Sequence, residues 1–181
     1  MGDSMVGELA DLRARVQRCE AIEACRGRFN EYLYYLDGGH LEDLIDLFAD
    51  GIRLELMNFP PGTGNDLRYT GRDEIRSLYA AFVGEGARHH SANVSIVPSE
   101  ALDRVEMIAY FHTALEYGLT GGIYELQLEP RLATWHITRM RISSTWGWAI
   151  PHSDPPYLKE PFGAGTLRDG RPPTSGRIDW D

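Results

Sequence analysis

Lysine is nearly absent from this chain: Lys159 is the only one, and the arginines are dispersed rather than clustered. With a net charge of −9 and no basic stripe to neutralise phosphates, nucleic acid is not an expected partner. The same acidic balance disfavours anionic membrane surfaces. Cysteine is scarce as well. Cys19 and Cys25 lie six residues apart in one helical segment, on opposite faces, which excludes a bridge within an intact helix. Two free thiols fit a reducing cytoplasm. No apolar run approaches the length of a membrane span, and the opening MGDSMVGELADLRARV lacks the core of a signal peptide. The expected location is therefore the cytoplasm.

Several chemical signatures are also missing. No HxxxH or ExxH spacing falls on a helix, so no metal is expected. Gly62 to Gly64 has neither the strand-glycine-helix context nor the lysine of a phosphate loop, and no serine sits in a nucleophile elbow.

What is present is an ordinary globular composition, 43% hydrophobic and 25% charged over 181 residues, enough for one domain with a core. Residues 8–37 carry a helical stripe: Leu9, Leu12, Val16, Ile22, Cys25, Phe29, Leu33 and Leu36. Asp37-Gly38-Gly39 ends it, and Leu41 to Phe48 reads as a second helix. Ile52, Leu54 and Leu56 alternate with Arg53 and Glu55 as a strand. Residues 58–70 read as loop, and Thr70 as the N-cap of a third helix running through Phe82. From residue 88 the period becomes two. Strands are expected over 88–97, 104–117, 121–129 and 133–147, joined by turns at Gly118 and Gly121-Gly122. Helices first and consecutive strands afterwards predict an α+β fold, three helices on one side of a curved, mainly antiparallel sheet. Residues 1–150 form this domain. Residues 151–181 form a Pro/Gly-rich tail, expected to act as a lid or a subunit contact.

Three positions could carry chemistry. Asp37 ends the first helix, where Asp before Gly-Gly is also a common turn residue. A carboxylate there meets the unfavourable end of the helix dipole, which hints at a purpose beyond capping. His89 and His90 open a strand, so only one can face a given cavity. His89 shares its face with Ser91 and Asn93 under strict alternation, a polar wall that favours His89 over His90. His112 lies on a mixed face with Tyr110, a weaker candidate that solvent would explain equally well.

The segments EYLYYLDGGHLEDLIDLFADGIRLEL, YTGRDEIRSLY, RHHSANVSI and the late W-x-I-x-x-x-R-I strand resemble the SnoaL-like branch of the nuclear transport factor 2-like superfamily. The resemblance covers roughly residues 15–148 and implies a cone-shaped α+β barrel. Within the branch it is nearest to scytalone dehydratase, bile-acid 7α-dehydratase and hexachlorocyclohexane dehydrochlorinase. It implies a catalytic Asp37 and His89, with Tyr32 as a pocket tyrosine and His112 as a second polar group. Asn93, Tyr110, Leu56 and Trp146 are expected to line the pocket. Ketosteroid isomerases carry their base where this chain has Leu56, which argues against that mechanism and leaves Glu55 open.

The implied activity is a cofactor-independent lyase or isomerase, dehydratase-like, acting on a small hydrophobic aromatic, polyketide or terpenoid-like substrate. A homodimer or homotrimer is implied too. The competing reading is a non-catalytic subunit, such as the small subunit of a ring-hydroxylating dioxygenase. The two diverge on whether Asp37 and His89 meet.

Overall fold

The computed structural model describes residues 2–149, apart from 85, 116, 117 and 133. The expected tail, 151–181, lies outside the described residues. Three helices, α1 (Gly2–Gly38), α2 (Leu41–Asp46) and α3 (Arg72–Tyr79), pack on a six-stranded sheet. Its strands are β1 (Phe48–Met57), β2 (Leu67–Thr70), β3 (Arg88–Pro98), β4 (Val105–Leu115), β5 (Gly118–Arg131) and β6 (Thr134–Ala149), in the order β2-β1-β6-β5-β4-β3. Only the β1–β6 pair is parallel. The α+β cone expected from the element order is the fold observed.

The inner face of the sheet and one side of α1 form the core. Cys25, Phe29, Tyr32, Leu33 and Leu36 of α1 meet Leu54, Met107, Tyr124, Leu126 and Met140 of the strands, all buried. Burial holds the Cys25 thiol protonated, its pKa pushed up to about 12. These aromatic and branched side chains each remove enough apolar surface from water to contribute about 1.5–3 kcal/mol when fully buried.

Several local expectations are corrected. Residues 58–70 are not all loop, because Leu67–Thr70 pairs with β1 as an edge strand. The third helix is capped by Gly71, not Thr70, with no side-chain cap; the Glu74 carboxylate instead accepts from the Thr70 backbone N–H at 2.7 Å. That helix stops at Tyr79 and continues as turns toward Gly84. Phe48 begins β1 rather than ending α2. Gly118, Gly121 and Gly122 lie inside β5 rather than in turns between strands. Glycine marks a different need there: a Cβ on Gly121 would lie 2.4 Å from the Trp146 ring.

β3 carries a bulge. Ala92 pairs with Tyr110 and Ser95 with Ile108, leaving one extra residue on β3, and Asn93 takes φ +52°. Upstream, His89 and Ser91 face inward; downstream, Val94 and Ile96 pack on the core.

Candidate active site

The site is built from the end of α1 and the start of β3. Gly39 takes φ +84° as the chain leaves α1, and Gly84 (φ +76°) lies against it. A Cβ on Gly84 would come within 3.2 Å of the Gly39 Cα. This close backbone approach lets the Gly84 N–H donate to the Leu36 carbonyl at 3.0 Å, satisfying one of the helix's last acceptors. The chain then enters β3 beside Asp37.

Asp37 and His89 are brought together there. Asp37 Oδ1 lies 2.5 Å from His89 Nδ1, and Oδ2 accepts the His89 backbone N–H at 2.8 Å. Both carboxylate oxygens thus fix one residue. The ring contact places the proton on Nδ1, and among the described residues Nε2 has no hydrogen-bond partner. The His89 and Asp37 side chains are 13% and 18% exposed, so the dyad is largely withdrawn from bulk water.

The cross-strand register defines what faces it. His89 pairs with Thr113 on β4, and Thr113 with Thr120 on β5, so all three share the inner face. Thr113 is 3% exposed, and its hydroxyl has no hydrogen-bond partner among the described residues. A buried hydroxyl without a partner costs about 1–3 kcal/mol, so natural proteins rarely keep one without a use. The next row inward is Ser91, Phe111, Gly122 and Ser144; beyond it the face turns apolar with Ala109, Tyr124 and Met107.

Other expected site residues stand elsewhere. His112 pairs with His90 on the outer face, rings stacked at 4.9 Å, because register opposite His89 belongs to Thr113. Tyr110 is on that outer face too, 37% exposed. Asn93 is exposed at the bulge, which breaks the alternation that placed it beside His89. Trp146 covers Gly121, the outer-face neighbour of His112, because β6 also shifts register there. Leu56 is buried in the core on the inner side. Glu55 accepts from the Arg141 guanidinium at 2.5 Å on the sheet's other face, which removes it as a base candidate.

Tyr32 is a core residue. Fully buried, its hydroxyl is engaged by Tyr79 at 2.9 Å, with Tyr124 beside it. Burial pushes all three phenols above their ordinary range; the Tyr124 phenol also feels the Asp37 charge. They remain neutral donors over any physiological pH. Thr113 was not singled out in the sequence, because only the strand register sets it opposite His89. Among the described residues, no cluster of three or more His, Cys, Asp or Glu could hold a metal. Nor is any described helix long and apolar enough to cross a membrane.

No curated protein matches the sequence. Solved structures do. A candidate scytalone dehydratase from Novosphingobium aromaticivorans superposes with a TM-score of 0.58 at 19% identity, covering 99% of this chain and 100% of its own. The hexachlorocyclohexane dehydrochlorinase LinA-type3 from Novosphingobium barchaimii gives a TM-score of 0.63 at 17% identity, over 78% of this chain and 99% of its own. A nuclear transport factor 2-like protein with a cystatin-like fold, also from N. aromaticivorans, gives 0.60 at 17% identity, over 75% and 89%. At such identities these likenesses establish the fold. The SnoaL-like domain profile matches residues 17–141, a span that includes Asp37, His89 and Thr113, and the chain therefore belongs to the SnoaL-like domain family.

Proposed function

We propose that this protein is a cofactor-independent lyase or isomerase in which His89 is the general base and Asp37 its orienting partner. The observation that carries this reading is the double hold of Asp37 on His89, at ring and backbone, which directs Nε2 away as an acceptor. The carboxylate fixes the tautomer and stabilises the imidazolium that forms, the role an acid plays behind a histidine in hydrolytic triads. Such a pair has no purpose in a purely structural subunit, which favours the enzymatic reading over a dioxygenase-type small subunit.

The step balances simply. His89 Nε2 takes a proton from a carbon next to a carbonyl or a leaving group, and the C–H bonding pair becomes the new π bond. In an elimination, the leaving group on the neighbouring carbon departs with its own electron pair. For a departing hydroxyl, the imidazolium returns the proton and water is released. In an isomerisation, the proton goes back to the far end of the enolate. The Thr113 hydroxyl, orphaned beside His89, is the group to hold the substrate oxygen. The apolar rows beneath suit a small hydrophobic ring.

The test is turnover of scytalone, read as loss of water, and of hexachlorocyclohexane, read as loss of HCl. Wild-type protein is compared with His89→Gln and Asp37→Asn. Both variants are expected to lose about 10²–10⁴-fold in kcat/KM while unfolding at near wild-type temperature. Turnover that survives His89→Gln undiminished removes His89 as the base.

A further inference from the structure

The helix that delivers Asp37 has a second half with nothing to do in the site. α1 buries residues only from Ala21 onward, and every residue from 5 to 20 is exposed. Near the start of the buried half, the Arg18 guanidinium donates to the Pro98 carbonyl at 3.3 Å. Residues 2–20, about 28 Å of helix at 1.5 Å per residue, thus form an arm. The arm is not uniformly polar. Met5, Leu9, Leu12 and Val16 are 69%, 48%, 52% and 47% exposed, and with Cys19 they recur at steps of four, three, four and three. That alternation marks the seam of a two-stranded coiled coil, not the wider stripe of a helix lying on a domain.

We infer that the N-terminal half of α1 is a pairing arm that packs seam to seam against the same arm of a second copy of this chain. The charges beside the seam choose this occupant. Glu8 and Arg15 border it on one side, Arg13 and Glu20 on the other. In a parallel pair, position 8 faces position 13 of the other helix and position 15 faces position 20. Each of these contacts joins opposite signs. Each flank also carries both signs, so a uniformly acidic or basic partner would meet as much repulsion as attraction. The pattern complements itself. An isolated helix of two heptads is marginal in water, but here the packed half of α1 already supplies the nucleus, so the arm only has to find its partner. Association of this kind also removes from water an apolar stripe that a monomer would leave exposed.

The test uses the full chain and two charge variants. One carries Arg13→Glu and Arg15→Glu and has an acidic arm; the other carries Glu8→Arg and Glu20→Arg and has a basic arm. Sedimentation velocity is expected to show wild-type self-association. Each variant alone should associate about tenfold more weakly or worse, because all flanking contacts change sign together. An equimolar mixture of the two should recover wild-type association. Leu9→Lys with Leu12→Lys should lower the mass in every mixture, while far-ultraviolet circular dichroism confirms the fold. A monomeric wild type overturns the pairing arm, as does a mixture no tighter than either variant alone. So does an unchanged mass after Leu9→Lys/Leu12→Lys, the result expected if the stripe is covered by another part of the same chain.

Discussion

His89 and His90 are neighbours in sequence and opposites in structure. His89 is turned inward, fixed by Asp37 on ring and backbone, with the orphan hydroxyl of Thr113 across the strand pair. His90 is turned outward, stacked on His112 at 4.9 Å, a pair of exposed rings with no carboxylate partner among the described residues. The chemistry of the two side chains is identical. What separates them is the face of the sheet, and with it a partner that fixes the tautomer. On the proposed reading, His89 serves as the base because of its supports rather than its identity.

The largest effect should break or keep this contrast directly. His89→Gln is expected to lower kcat/KM by about 10²–10⁴-fold, with His90→Gln and His112→Gln leaving steady-state turnover at the wild-type level. Equal losses for His89→Gln and His90→Gln would erase the distinction between the faces. Next comes Asp37→Asn, expected to cost about 10²-fold or more in kcat with little change in KM, since the amide can present the wrong group to Nδ1. Thr113→Val should be smaller and selective. Loss of the hydroxyl should weaken turnover of an oxygenated substrate about 10-fold while sparing a chlorinated one, and calorimetry should show no loss of thermal stability, because an unpaired buried group has gone. Gly84→Ala tests the approach that sets the two carboxylate contacts: strain at φ +76° should cost about 1–2 kcal/mol of stability, read as a lower Tm.

The smallest effect sharpens the contrast with a third histidine. His136 on β6 has its pKa lowered from 6.5, first by burial and then by the Arg28 charge, so the folded protein disfavours its protonated form. Its contribution is fully present above the unfolded value near 6.5 and is lost as pH falls below it. His136→Phe should therefore flatten the acid side of a Tm-against-pH curve without changing turnover.

Much of this was legible in the sequence. The helix stop at Asp37-Gly38-Gly39, the change of period at residue 88 and the polar start of β3 are local signals, and each sits where the pattern put it. The choice of His89 over His90 needed only strand alternation. What failed depended on partners. Asn93 was placed beside His89 by counting in twos, and that count holds only until the bulge in β3 intervenes. Tyr110, His112 and Trp146 followed from the resemblance, and the strand register decides which face of the sheet they take. Tyr32 failed differently: helical spacing puts it on the buried side, but cannot say that Tyr79 would engage its hydroxyl. Thr113 could not be found without knowing which β4 residue lies opposite His89.

The bulge at Asn93 makes β3 a strand with two reading frames. Before it, odd-numbered residues line the mouth of the cone; after it, even-numbered residues fill the depth. Length at this point is therefore a stronger constraint than identity. Replacing Asn93 changes one exposed side chain and strains a φ of +52°, whereas deleting it would move either the histidine to the outside or Val94 and Ile96 out of the core.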